Sequence, residues 1–583
     1  MKRYIILAFP LLAAGLCAQA QDLNKEITID RDIIPTERAA ARPVVFPSLL
    51  PPVVSPVTLT MQPDLHPSAI SPALTYYAPA STGGAFPATP FRGYVDLGYF
   101  PTLDAGLSAG YAILDRKDTK LNVAVQLDNR DYKGLSGTST ADFRFKTFDV
   151  GGKVDFMQRF GSFNTLRVGT DGAYSRTTLP DYTAGNVRWH LNAAFDGRAG
   201  SVTYGVSAGG GIFNHTNSDA LHQTSMDFGA YLRGNVTANA LLGVRVEGKF
   251  LHFNHYYTSD SLLLRSVFAG DKNTKPFDIQ PGGKTVGQVD VIPAAEYNSG
   301  AFYGRAGVRL GFSVNGDKSF HAAPDVMLAL NPASAFGAWV QLGGGVQTNS
   351  LEDMWQLSRY ADPRLATSLS NVAFTGQLGV RVGPFYGASL TLTCDYAAAN
   401  HWLMPTVLSA DNTTYNVWTP SRIRAWKAGA RFEWQFRKLL NVALSYDANL
   451  GGGQERHWLY WRDGARQVIG ASLAVTPIRP LEINAGFTVR LDRGERSING
   501  TEIIYTEWRG DEHGQDYILG TTAGCRHTSL GDLSNLYAGA SYRITEAFTA
   551  FARFDNILNK RTQLMFGVPS QGFTGLFGVG YKF

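Results

Sequence analysis

Four segments of this chain alternate so evenly, and for so long, that they restrict it to very few architectures. In "VRWHLNAAFD" the residues Val187, Trp189, Leu191, Ala193 and Phe195 separate from Arg188, His190, Asn192, Ala194 and Asp196. "LLGVRVEGKF" sets Leu242, Val244, Val246 and Phe250 against Arg245, Glu247 and Lys249. "WKAGARFEWQF", from Trp426, and "LEINAGFTVRLD", from Leu481, repeat the division, with Arg431 and Glu433 on the polar side of one and Glu482 and Arg490 on the polar side of the other. Successive side chains of a strand point to opposite faces. A face that stays apolar for five or six positions and ends in aromatics suits hydrocarbon, while its partner suits water. In lipid every backbone donor and acceptor must be paired, so such a sheet has to close on itself. About 9 to 11 tilted residues cross a bilayer, the length of these segments. The pattern predicts an all-β fold, a transmembrane antiparallel β-barrel.

The connections agree. Short ones such as "TANAL" and "RITEAF" alternate with long polar ones over 256–284 and 492–530, which predicts short periplasmic turns and long extracellular loops. Counting back from the terminal "GLFGVGYKF" gives about 22 strands, with 16–20 as alternatives. "RGYVDLGYF" is the first strand and the second begins near Ala105; the count blurs over 271–291 and 314–332. The last strand should turn Phe577, Val579, Tyr581 and Phe583 to lipid and Lys582 to the periplasmic end of the lumen. Its edge must pair with the strand beginning near Arg92. The terminal Tyr581 and Phe583 also resemble the aromatic signal that outer-membrane barrels present to their assembly machinery, which implies that machinery as a partner.

Composition supports many strands joined by turns, with 62 Gly, 34 Phe, 26 Tyr and 10 Trp and only 17% charged residues. A net charge of +5 spread along 583 residues gives no reason to propose a nucleic-acid partner. Lys2 and Arg3 precede the apolar "YIILAFPLLAAGLCAQA", and Ala18-Gln19-Ala20 predicts cleavage before Gln21, so residues 1–20 read as a signal peptide. Cys17 invites a lipoprotein reading, but Leu16 stands where such signals want a small residue. The mature chain then keeps Cys394 and Cys525, one on an apolar strand face and one in a long polar connection, so no bridge between them is expected. Residues 21–91 hold 12 of the 27 prolines and read as an extended tether, which could thread the pore or serve as a leader. Residues 92–583 form the barrel.

No catalytic constellation, metal site or cofactor site emerges. His190, His215, His252 and His255 lack ligand spacing, and the "GGG" runs at 209–211 and 343–345 lie within strands with no helix after them. The loop "GGGQERHWLYWRDG" offers Trp458, Tyr460 and Trp461 as an extracellular ligand surface, with His401 and Trp402 in a nearby loop. The same residues also fit an interfacial aromatic girdle. The lumen is expected to mix Arg188, Arg245, Lys249, Arg431, Arg490, Arg543 and Arg553 with Glu247, Glu433, Glu482 and Asp555, paired across strands.

The ending, "FTAFARFDNILNKRTQLMFGVPSQGFTGLFGVGYKF", resembles that of TonB-dependent receptors. It carries the Asn-Ile-Leu-Asn-Lys motif at 556–560 and a final Tyr-x-Phe at 581–583. The opening hairpin of the barrel resembles that of some members as well. The resemblance implies nutrient uptake or recognition at the surface of a Gram-negative cell. It also implies a TonB box, for which Ile27, Thr28 and Ile29 are the candidates, working by adding a strand to TonB. The family's N-terminal plug has no counterpart in the proline-rich stretch. That leaves a passive porin-like channel, or a structural or assembly subunit of an outer-membrane complex, as alternatives. The implied partners are outer-membrane lipid, the assembly machinery, and TonB, a surface lipoprotein or other complex subunits.

Overall fold

The computed structural model describes residues 91–583 apart from 102–103, 136–141, 179–182, 217–221, 257–279, 317, 334, 361–368, 411–412, 438, 452–463 and 500–524. The signal peptide, the proline-rich segment to residue 90, the TonB-box candidate Ile27 to Ile29, and Trp458, Tyr460 and Trp461 lie outside the described residues. No described helix is long and apolar enough to cross a membrane, and the chain crosses with strands.

The first nine strands are β1 (Gly93–Phe100), β2 (Asp104–Asp115), β3 (Thr119–Leu135), β4 (Asp142–Phe160), β5 (Asn164–Thr178), β6 (Thr183–Ala199), β7 (Val202–His215), β8 (His222–Asn235) and β9 (Ala240–Tyr256). Four follow before a short helix: β10 (Gln280–Asn298), β11 (Phe302–Val314), β12 (Phe320–Ala333) and β13 (Phe336–Thr348). After α1 (Leu351–Leu357) come β14 (Leu369–Phe385), β15 (Ala388–Ala410), β16 (Thr413–Phe436), β17 (Leu440–Leu450), β18 (Ala465–Ile478) and β19 (Leu481–Asn499). The last six are β20 (Cys525–Ser529), β21 (Leu533–Arg543), β22 (Phe548–Asp555), β23 (Gln563–Met565), β24 (Val568–Pro569) and β25 (Thr574–Lys582).

Strands β1 to β19, β21, β22 and β25 close into one 22-stranded antiparallel barrel. The closing seam pairs β25 with β1, from Tyr94 opposite Lys582 to Tyr99 opposite Phe577. It is sealed by Gly93 N–H donating to Phe583 O at 2.8 Å and Phe583 N–H returning to Gly93 O at 3.0 Å. Turns of two to four residues, such as 200–201 and 236–239, lie on the rim that carries the chain's end, and the long connections lie on the other. The outward faces carry the expected apolar residues. Leu242 is 57% exposed, Phe577 51% and Phe583 47%, values at home in hydrocarbon and costly in water. Rings gather at both ends of the seam. Tyr111, Tyr581 and Phe583 stack at about 6 Å on one rim, and Phe100, Phe554, Phe573 and Phe577 cluster on the other.

Several expectations change. The two blurred stretches hold the strands β10 and β12. Cys525 opens the strand β20, which pairs with the outer end of β19 and stands outside the circuit. His401 and Trp402 belong to β15, at a bulge where His401 takes a φ of 53°, and not to a loop. Lumen charges pair across strands as expected, Arg309 with Asp290 at 2.6 Å, Arg167 with Asp196 at 2.7 Å and Lys427 with Asp447 at 3.6 Å. They also pair along single strands, where residues two apart share a face: Arg245 with Glu247 at 2.9 Å, Arg431 with Glu433 at 2.8 Å and Arg553 with Asp555 at 2.9 Å.

Candidate functional site

Three connections on the long-loop rim turn inward and meet over the lumen. The first runs from β13 to β14. Its sequence "NSLEDMWQL" contains a capping box, in which the Ser350 hydroxyl accepts from Asp353 N–H at 3.0 Å and Asp353 reaches back to the Ser350 backbone. That reciprocal pairing satisfies the first orphan amides and starts α1 in a chain otherwise made of strands. The helix crosses to the far wall. Glu352 places one oxygen 3.1 Å from Arg188 Nη1 and the other 2.8 Å from His190 Nε2, both on β6. Leu351 N–H donates to Gln223 Oε1 on β8 at 2.6 Å. Asp353 faces Lys249 of β9 at 3.5 Å, and Arg359 bonds Asp149 of β4 at 2.9 Å. Trp355 sets its ring edge-on to His215 at 6.2 Å and lies beneath the Arg359 guanidinium.

Gly211 permits the His190 contact. A Cβ there would come within 2.1 Å of the His190 ring, so only glycine leaves room for the imidazole that holds Glu352. Here the "GGG" run on β7 has a packing reason.

The second segment is the connection from β22 to β25. Asn556, the first residue of the Asn-Ile-Leu-Asn-Lys motif, donates from Nδ2 to Lys560 O at 3.0 Å and Gln571 O at 2.9 Å, and its Oδ1 accepts from Lys560 N–H at 3.1 Å. Asn556 and Asn559 both take left-handed φ angles near 48°, a conformation asparagine tolerates better than most residues. The motif is thus the clasp at the base of a loop, and it launches the small β23–β24 hairpin over the lumen. Arg493 of β19 donates to Gln563 O at 2.5 Å and Leu564 O at 2.7 Å, while Glu495 accepts from Phe566 N–H at 3.2 Å. Both lie beyond Arg490, the last residue of β19 to pair with the barrel wall at β21. Burial there pushes the Glu495 carboxyl up to about 7.

The third segment is the top of the β15–β16 hairpin. Past its bulge, β15 bends across the mouth and pairs in parallel with β19, from Thr406 opposite Arg496 to Ser409 opposite Asn499. Trp402 and Met404 are each 1% exposed, packed with Ala397, Ala399, Ile423 and Ala425. Trp402 is therefore core, and it offers no face for stacking a ligand.

The three segments and the wall share one apolar knot. Met354 and Tyr360 from the helical loop, Leu403 from the tall hairpin, Met565 and Val568 from the small hairpin, and Phe145 from β4 are all buried against one another. Tyr132 stacks on Phe145 at 5.5 Å and donates to Pro569 O at 3.2 Å. Ser358 Oγ lies 3.5 Å from Met565 Sδ. A ligand approaching from this rim meets a greasy center held to the wall by a ring of charge pairs. Among the described residues no three His, Cys, Asp or Glu groups converge as a metal site. Sequence reading placed Arg188, His190 and Lys249 in the lumen correctly but missed the helix they hold; its only signal was Ser-x-x-Asp before "MW".

The barrel fold is shared with solved outer-membrane receptors. A ferric enterobactin receptor from Pseudomonas aeruginosa bound to enterobactin superposes with a TM-score of 0.59 at 9% identity, over 84% of this chain and 81% of that one. The siderophore receptor PirA from Acinetobacter baumannii gives 0.59 at 9%, over 84% and 80%. The iron transporter FrpB from Neisseria meningitidis gives 0.59 at 10%, over 85% and 82%. At such identities the likeness is one of fold. No protein-family model and no curated protein matches the sequence.

Proposed function

We propose that this chain is an outer-membrane receptor of the TonB-dependent type that recognises and takes up a nutrient at the cell surface, acting by binding and passage rather than catalysis. The observation that carries the reading is the 22-stranded barrel with a polar, internally paired lumen, matched over four-fifths of the iron and siderophore receptors above. Their printed ligands make iron–siderophore complexes the first class to test here. The knot over the mouth favours this reading over a passive pore, since a pore needs a standing water path and three segments cross it. A ligand that competes for the knot's contacts would loosen it, and TonB engaged through Ile27 to Ile29 would supply the work of passage.

The test is uptake of a panel of iron–siderophore complexes by cells carrying the protein, with residues 26–29 deleted or the inner membrane de-energised by a protonophore. Uptake should be lost in both cases. Uptake that survives both would overturn the energised reading.

A further inference from the structure

Where the wall is lowest, above the turn from β1 to β2, the outer surface is notched. The notch is a cleft of about 470 Å³ between the tall β3–β4 hairpin and the base of the β22–β25 connection. Lys133, Arg144 and Asp131 line it from the hairpin, and Asn559, Arg561 and Phe573 from the connection.

Its charges are poorly balanced. Lys133 stands directly opposite Arg144 in the β3–β4 register, and Lys146 stands one step away opposite Asp131. Like charges in directly opposed positions repel. Asp131 is committed to Arg144, which donates to it from Nε at 2.7 Å and also from Nη2. Among the described residues no acid is in ion-pair contact with Lys133, Lys146 or Arg561. Arg561 packs against Gly572, whose lack of a Cβ leaves room for its Nε, and the neighbouring Phe573 N–H donates to Asn559 Oδ1 at 2.9 Å.

The floor is apolar and continuous with the membrane-facing band. Phe573 is 42% exposed and belongs to the ring cluster with Phe100, Phe554 and Phe577. Below it Leu97 and Tyr99 are 46% and 54% exposed on the same outer face. Cations stand at the level where hydrocarbon ends, over aromatics on which an acyl chain can lie. We propose that this notch binds a phosphorylated glycolipid of the outer leaflet, its phosphate between Lys133 and Arg561, with Lys146 beside the notch on β4, and its chains against Phe573 and Phe577. The proposal rests on the membrane-spanning reading of the barrel and not on uptake; a chain that binds the lipid but imports nothing would count against the transport reading alone.

The test is native mass spectrometry of the purified full chain in detergent, titrated with bisphosphorylated lipid A, with lipid A lacking both phosphates, and with inorganic phosphate. The wild-type chain should retain one bisphosphorylated lipid. The K133Q/K146Q/R561Q variant, which leaves the Arg144–Asp131 pair intact, should bind it on the order of a hundredfold more weakly, and the dephosphorylated lipid should bind the wild type comparably weakly. A K117Q/K120Q control on the opposite rim should bind as the wild type does. Should the triple variant fail to fold, as judged by heat-modifiable migration, K133Q alone should still weaken binding severalfold. Unchanged binding in the notch variants, equal weakening in the control, or displacement of the lipid by inorganic phosphate at matching concentration would overturn the proposal.

Discussion

The barrel has a low side and a tall side. At the seam β22, β25 and β1 are 8, 9 and 8 residues long, whereas β15 and β16 run for 23 and 24. The low side has about the length a tilted strand needs to cross hydrocarbon. The tall side spends that length at its base and then becomes something else. On β15 the outward residues Leu390 and Leu392 are 40% and 47% exposed, yet Trp402 and Met404 higher on the same strand are 1% exposed. One strand therefore serves two solvents: lipid fixes the lower half, and packing against other loops fixes the upper half. Closure of the circuit and cover of the mouth are then separate tasks, the first carried by the seam strands and the second by connections that rise from several parts of the wall, and they should fail separately.

The largest expected effect breaks the seam. At Gly578 a Cβ would come within 2.4 Å of the Leu97 backbone oxygen and 2.1 Å of the Phe551 ring. Overpacking costs about 1–3 kcal/mol where side chains can shift, and here backbone cannot. Gly578→Leu should abolish the heat-modifiable barrel on unboiled gels, whereas replacing 402–421 with a short Gly-Ser turn should preserve it. If both assemble, or neither does, the two sides are not independent.

A smaller effect should appear when only the cover is cut. Met354→Ala with Leu403→Ala removes two buried members of the knot, each worth about 2–5 kcal/mol when such side chains are truncated. The barrel should still assemble, but single-channel recordings in planar bilayers should show openings that the wild type lacks. Smaller again is Glu352→Gln. It weakens the contacts to Arg188 and His190 at a cost of about 1–3 kcal/mol and should speed hydrogen exchange across 351–357 while leaving β6 unchanged.

The smallest is a pH effect on the small hairpin. The Glu495 carboxyl titrates near 7 when docked, above its ordinary value of 4.5. A raised folded value means that the docked state holds a proton the undocked state has released, so docking is strongest below pH 4.5 and weakens as pH rises through 7. Between pH 6 and 8 the loss is about 1 kcal/mol. Hydrogen exchange over 563–569, corrected for intrinsic rates, should report it, and Glu495→Gln should flatten the dependence. Identical profiles for variant and wild type would mean that Glu495 does not govern docking.

How much of this was legible in the chain depends on which side is considered. The low side could be read almost residue by residue. The turn-outs of Phe577, Tyr581 and Phe583, the pairing of the last strand with the one beginning at Gly93, and the asymmetry of the two rims all follow from alternation and from the need to pair every backbone group in lipid. The mouth could not be read that way. Met354, Leu403, Met565 and Phe145 are scattered over more than 400 positions, each in a segment whose local pattern differs little from an exposed loop or an outer strand face. Their meeting depends on which wall each connection bends toward. The Asn-Ile-Leu-Asn-Lys motif shows the limit: its spacing was visible, but its role as the clasp at the foot of an inward hairpin appears only once Asn556 bonds both Lys560 and Gln571.

By itself the sequence determined a closed, membrane-spanning sheet of about this size, because period-two hydrophobicity is a local property that lipid enforces on every strand alike. Only the tertiary structure decided that the mouth is crossed by the chain's own loops and that the low side carries a basic notch. Burial of Met354 against Leu403, or the sharing of one cleft by Arg561 and Lys133, joins distant parts of the chain, and no local period encodes it.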